Sequence, residues 1–274
     1  MKRLIKLCAI LLLLSGAGFA AYRMYDMASE YKAGNDIYEQ VQQSAIQAAP
    51  TEKASAAKDA TKVLSPVAKG APIDSGTDFP VINFQLLEAQ NSDTVGWVCI
   101  EGTNINYPVV QGEDNRHYVS TLFDGSENQA GSIFMDYRNN ADMDNIHTIL
   151  YGHNMLDKSM FADILNYQNQ EYYDTHPYGI YITREQNYRF DIVAAYVASL
   201  ADPAWQLEFA AQEELLQWLN EAVEKTEFVS DVTPQADDKF ITLSTCSYEF
   251  DDARFVLVGV LHDCGPPEED NNLN

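Results

Sequence analysis

The chain has 274 residues, 46% hydrophobic and 21% charged. That is enough apolar material for a packed domain, and it excludes a wholly disordered chain. Forty-one acidic against seventeen basic side chains give a net charge of -24. Little is left to build the positive face needed to grip a nucleic-acid backbone or anionic lipid. The imbalance is one-sided: residues 1–70 carry nine basic and six acidic side chains, residues 71–274 eight and thirty-five.

At the amino terminus, Lys2, Arg3 and Lys6 precede an apolar run from Leu7 to Tyr22. With Leu4 and Ile5 added and Lys6 snorkelling, the run predicts an uncleaved signal anchor over residues 1–22. The basic flank places the amino terminus in the cytoplasm and the rest outside the cell membrane. Gly18-Phe19-Ala20 is the competing cleavage site. Residues 23–47 are loosely helical in spacing, through Met24, Met27, Tyr31, Ile37, Tyr38 and Val41. Residues 44–72 are rich in Ala, Ser, Thr and Lys, with Pro50, Pro66 and Pro72, and complete a spacer over 23–78. The compact domain is expected over 79–263, followed by an acidic tail over 264–274.

Short strand-like runs dominate the domain: Gly96–Ile100, Ile105–Val110, Ser132–Asp136, Thr148–Tyr151, Tyr178–Thr183, Tyr188–Leu200, Phe240–Cys246 and Arg254–Leu261. Polar turns separate several of them, which predicts a mainly β barrel or sandwich. One long helix is expected near 204–226, with Trp205, Phe209, Leu216, Leu219 and Val223 as its apolar stripe and Pro203 near its start. A second, short helix is expected over Ser159–Leu165. No βαβ alternation, glycine-rich phosphate loop or metal-ligand spacing occurs, so neither cofactor nor metal is expected. Four cysteines are too few for a disulfide scaffold at this length. Cys99 and Cys264 could still pair.

Cys246 closes the run Phe240-Ile-Thr-Leu-Ser-Thr-Cys246 and is followed by a polar turn. That sets it at a strand end. Arg254 opens the next strand, and in an antiparallel hairpin the two positions are neighbours. A nearby cation lowers a thiol pKa and steadies an oxyanion. Among the five histidines, His153 has the most informative setting. It follows a strand-like run and a glycine, in Thr148-Ile-Leu-Tyr-Gly-His153-Asn154. From spacing alone, a His153–Cys246 pair competes with unrelated structural roles for both residues.

Thr242-Leu-Ser-Thr-Cys246, with Arg254 downstream and Tyr151-Gly-His153-Asn154 upstream, resembles the active-site signature of sortases, class B sortases in particular. Asn106-Tyr-Pro-Val-Val-Gln111 with Asp114-Asn115, and Gly131-Ser-Ile-Phe-Met-Asp-Tyr-Arg138-Asn139, are similar to further segments of that family. The resemblance covers roughly residues 79–262 and the anchor arrangement. It implies a closed eight-stranded barrel with added helices, the long one inserted between two late strands. It also implies transpeptidation outside the membrane of a Gram-positive-type bacterium. By that resemblance Cys246 is the nucleophile, His153 the acid/base and Arg254 the oxyanion and substrate clamp, while Ser244, Thr245 and Asn115 line the substrate groove. The implied substrate is a secreted protein with an Asn-Pro-x-Thr-like carboxyl-terminal sorting signal, cut after Thr. The implied acceptor is an amine of a peptidoglycan precursor. Three alternatives stand beside this one: a pilin-polymerising sortase using a pilin lysine, a papain-like cysteine hydrolase, disfavoured because His153 precedes Cys246, and a non-catalytic anchored binding module.

Overall fold

The computed structural model describes residues 2–47, 77, 79–235 and 237–267. Side chains of the first helix are described at Lys6 and Ile10 and from Leu12 to Ile46. Most of the expected spacer, residues 48–76, lies outside the described residues, as do the tail 268–274 and the side chain of Cys8.

In chain order the elements are α1 (Lys2–Ala45), β1 (Ile46–Gln47), β2 (Val81–Ile82), α2 (Phe84–Gln90), β3 (Thr94–Cys99), β4 (Asn106–Val110), β5 (Ile133–Met135), β6 (His147–Tyr151), α3 (Gln170–Thr175), β7 (Tyr178–Ile182), β8 (Asn187–Ala198), α4 (Gln212–Glu224), β9 (Lys239–Cys246) and β10 (Arg254–Asp263). Strands β3 to β10 close into one barrel in the order β10-β8-β7-β3-β4-β5-β6-β9. Closure leaves this barrel sheet without free edges, which suits strands of apolar, β-branched and aromatic residues. Each of the eight strand-like runs in the sequence is one barrel strand.

Among the described residues no helix is long and apolar enough to cross a membrane. The expected transmembrane helix over 1–22, and the single-pass localisation drawn from it, are corrected accordingly. The physical reason lies in the run itself. Leu7–Tyr22 reaches only about 24 Å at 1.5 Å per residue, against a hydrocarbon core about 30 Å thick. Ser15, Gly16 and Gly18 dilute it, and the same unbroken helix runs on through Arg23 and Asp26. The far end of α1 packs on the barrel through buried Tyr38, Val41 and Ala45. The Tyr38 hydroxyl donates to the Gly131 carbonyl at 2.6 Å.

Two apolar clusters share the strands between them. Ile241, Leu243, Phe255 and Leu257 belong to the main core with Trp97, Ile133 and Tyr181. Their alternate neighbours Phe240, Val256, Val258 and Val260 pack against Leu215, Trp218, Leu219 and Ala222 of α4. The period of two in a strand produces this division. The connection carrying α4 differs from expectation. Pro203–Trp205 forms a 3-10 turn, residues 206–209 are irregular, and the helix begins only at Gln212. Its buried face is Leu215, Trp218, Leu219 and Ala222, while Leu216 and Val223 are exposed. Trp205 is drawn to the barrel, where its Nε1 donates to Ser244 Oγ at 3.3 Å. The short helix expected over Ser159–Leu165 is a 3-10 segment at Ala162–Gln168.

Candidate active site

Strands β6 and β9 run parallel, with His147 opposite Phe240, Ile149 opposite Thr242 and Tyr151 opposite Ser244. Opposed residues share a face of the sheet. Two further residues along each chain bring His153 and Cys246 onto that same face. Arg254 lies directly opposite Cys246 in the antiparallel β9–β10 pair, and so joins them. Two consecutive hairpin strands and a third, distant in sequence, thus deliver a thiol, a guanidinium and an imidazole to one end of the barrel wall.

Hydrogen bonds to backbone carbonyls fix the strand exits. Gly152 N donates to the Ser244 carbonyl at 3.1 Å, and Thr245 Oγ1 donates to the Gly152 carbonyl at 2.7 Å. Asn154 Nδ2 donates to the Cys246 carbonyl at 3.0 Å. A Cβ at Gly152 would lie 2.4 Å from Ile133 Cδ1 and 2.8 Å from the Phe161 ring. Only glycine lets β6 leave the barrel so close to its neighbours.

The His153 imidazole meets the Cys246 thiol, and each moves the other's pKa. The His153 hydrogen bond is the largest influence on Cys246 and lowers its pKa; burial opposes it, and the Arg254 charge adds to the lowering. The Cys246 contact raises His153, against burial and with help from the Val119 carbonyl. Thiolate and imidazolium therefore favour one another. His153 Nε2 lies 2.7 Å from the Val119 carbonyl. A carbonyl only accepts, so Nε2 carries a hydrogen and Nδ1 is left for exchange with sulfur. Gly131, at φ +54, makes this carbonyl reachable, because a Cβ there would sit 2.5 Å from the Tyr118 and Val119 oxygens.

Arg254 donates to the Ala253 carbonyl at 3.0 Å. Among the described residues no carboxylate pairs with it. Glu249 instead accepts from the Ser247 hydroxyl. The guanidinium is left available for an anionic ligand.

The three side chains open into a cavity of about 420 Å³ lined also by Asn115, Val119, Phe134, Tyr151, Leu200, Trp205, Ser244 and Thr245. All six residues singled out in the sequence meet here. Ser244, Thr245 and Asn115 are nonetheless engaged in the scaffold. The Ser244 hydroxyl accepts from Trp205 and Thr245 holds Gly152. The Asn115 amide donates to Asp136 at 3.0 Å and accepts from Tyr137 N at 3.0 Å. Sequence reasoning missed the groove-wall role of Trp205, assigned above to a helix stripe, and the contributions of Leu200 and Val119. Pro203 was the available signal for Trp205: its fixed φ and missing N–H suit the first residue of a short 3-10 turn as well as of a helix.

Cys99 and Cys264 are free. Burial pushes the Cys99 thiol up to about 11 and raises Cys264 as well, so neither matches Cys246 in thiolate character. Among the described residues no group of three or more His, Cys, Asp or Glu side chains could hold a metal.

The sortase-domain family model matches residues 98–262. The chain is 36% identical over 177 residues to sortase B of Staphylococcus aureus (strain NCTC 8325 / PS 47), covering 64% of this chain and 72% of that protein. The structure of the Staphylococcus aureus sortase B-substrate complex superposes with a TM-score of 0.64 at 34% identity, covering 66% of this chain and 85% of that one. The crystal structure of sortase B from B. anthracis in complex with AAEK1 superposes at 0.68 and 28% identity, covering 86% of this chain and 100% of that one.

Proposed function

This chain belongs to the sortase family, in its sortase B branch, and on that premise we propose that it is a cysteine transpeptidase. It cleaves a carboxyl-terminal sorting signal of the Asn-Pro-x-Thr kind after threonine and passes the acyl group to an amine of a peptidoglycan precursor. The observation that carries the proposal is the meeting of Cys246, His153 and Arg254 on one sheet face at the rim of a peptide-sized cavity.

The Cys246 thiolate attacks the threonine carbonyl carbon and forms a carbon–sulfur bond. Negative charge moves onto the carbonyl oxygen. Arg254, free of any carboxylate partner among the described residues, stabilises that charge together with neighbouring backbone N–H groups. The tetrahedral intermediate collapses, the peptide C–N bond breaks, and His153 Nδ1–H protonates the departing amine. A thioester remains on Cys246. Neutral His153 then takes a proton from the incoming amine, whose nitrogen displaces sulfur. The result is a new amide and a regenerated thiolate–imidazolium pair. Because Nε2 is held by the Val119 carbonyl, both transfers use the same ring nitrogen. Phe134, Leu200 and Trp205 give the groove apolar walls, which disfavour water as the competing nucleophile.

The test is mass spectrometry of an Asn-Pro-x-Thr peptide library incubated with separate amine acceptors: triglycine, a diaminopimelate-containing stem peptide and a lysine-bearing protein domain. Transfer products joining threonine to a stem-peptide or glycine amine are expected. Transfer to the lysine domain alone would move the assignment to pilin polymerisation. Absence of cleavage across the library would reject the reading.

A further inference from the structure

Behind the cavity, one ion pair reaches three of the residues that line it. Asp136 follows β5 and is wholly buried. Arg138 Nε and Nη2 donate to its two oxygens at 2.8 Å each, the bidentate geometry that makes such pairs directional. Oδ2 also accepts from the Tyr151 hydroxyl at 2.9 Å and from Asn115 Nδ2 at 3.0 Å. The other end of the pair touches the opposite wall, where Arg138 Nη2 donates to the Trp205 carbonyl at 3.4 Å. Gln111 Nε2 pins the local backbone through the carbonyls of Asp136 at 2.9 Å and Asn139 at 2.8 Å. Neither Asp136 nor Arg138 lines the cavity itself.

We propose that the Asp136–Arg138 pair is a positioning clamp that fixes the spacing between the Asn115 wall and the Trp205 wall of the groove, and thereby sets affinity for the sorting peptide held between them. The proposal rests on the sortase reading for the identity of that peptide. An ordinary exposed ion pair would contribute too little to matter. Here the carboxylate is buried and meets donors from three separate segments of chain. Losing one acceptor oxygen of the buried carboxylate frees the Tyr151 hydroxyl, the Asn115 amide or one arm of the half-exposed guanidinium from its fixed position. Those are the groups whose positions define the groove. Arg138→Lys keeps the charge but loses the fork, and with it the simultaneous reach to Asp136 and Trp205.

The experiment compares full-length wild type with Asp136→Asn, Arg138→Gln and Arg138→Lys. Steady-state transpeptidation of a sorting peptide is measured beside the pH profile of Cys246 alkylation by iodoacetamide, a reagent too small to need the groove. A clamp raises KM at least tenfold in Asp136→Asn and Arg138→Gln, with Arg138→Lys between them and wild type, and leaves the alkylation profile unmoved. A fall in kcat with KM held, or a shifted alkylation profile, overturns the proposal, because the pair then acts on the nucleophile or on the amount of folded enzyme. Hydrogen exchange supplies a readout that needs no turnover. In Asp136→Asn, amides of both 115–119 and 203–209 exchange faster while β8 and β10 are unchanged. Faster exchange confined to 136–139 overturns the clamp. Failure of wild type to turn over any sorting peptide would count against the sortase reading and leave the exchange result to decide the clamp.

Discussion

Protonation of His147 should cost this fold roughly 3 kcal/mol, because the charge would be buried where β6 meets β9 and α4. His147 opens β6 and is fully buried. Its Nδ1 lies 2.7 Å from the Gln206 carbonyl and its Nε2 lies 2.7 Å from Thr242 Oγ1. The carbonyl can only accept, so Nδ1 carries the hydrogen and Nε2 accepts from the threonine hydroxyl. The ring is neutral. Burial is the main cause that lowers its pKa to about 4; the Gln206 carbonyl and Asp136 oppose it, and Arg138 adds to the lowering. In the unfolded chain the group returns to about 6.5. Protons therefore bind the unfolded state more readily. The stability due to the neutral ring is complete above pH 6.5, drains away as pH falls toward 4, and changes no further below. A separation of about 2.5 pH units at 1.36 kcal/mol each gives that figure. Protonation also removes the acceptor for Thr242, while the Nδ1–H bond to the Gln206 carbonyl is kept and favours the charged ring. Guanidinium unfolding of wild type and His147→Gln at pH 7 and pH 4 measures the effect. The glutamine variant should be less stable at pH 7 but lose about 3 kcal/mol less between the two pH values. Equal losses in both proteins would refute the reasoning.

Other expectations follow from the site. Cys246 should be alkylated by iodoacetamide with an apparent pKa below that of an ordinary thiol, about 8.5. His153→Gln should raise it more than Arg254→Gln, since His153 is the larger influence; alkylation rates from pH 5 to 10 decide this. Near neutral pH the reagent should label Cys246 ahead of Cys99 and Cys264, read by peptide mass spectrometry. Gly152→Ala forces a methyl into Ile133 and Phe161. It should cost about 1–3 kcal/mol of stability and lower kcat/KM at least tenfold by displacing His153; denaturation and steady-state rates test both. Chelation with EDTA should leave turnover unchanged, and a loss reversed by added zinc or calcium would contradict the metal-free reading.

Much of the barrel was legible because its strands carry strong local signals. Phe240–Cys246 and Arg254–Leu261 read as a hairpin from their runs and the polar turn between, and β9 and β10 pair in that way. The parallel β6–β9 pairing was not legible, since nothing within either run says what lies beside it. It is this pairing that brings His153 to Cys246, so the resemblance to a family had to supply what local pattern could not. The same limit hid the Asp136 network: Asp136 and Arg138 are close in sequence, but Asn115, Tyr151 and Trp205 converge on them from three other segments. The helix near 204–226 was misplaced because its apolar residues serve two elements. Trp205 and Phe209 belong to the connection, Phe209 with its ring 5.5 Å from that of Trp218, while α4 buries Leu219 of the expected stripe together with Leu215, Trp218 and Ala222 in place of Leu216 and Val223. The amino-terminal run misled through its flanking charges, which say where a span would be oriented and not whether the run is long enough.

The most direct test of the central claim is intact-mass and peptide mapping of the enzyme trapped with a sorting peptide in the absence of amine. An acyl adduct is expected on the peptide containing Cys246, disappearing when an acceptor amine is added, with no adduct in Cys246→Ala. An adduct at another residue, or undiminished turnover by Cys246→Ala, would contradict it.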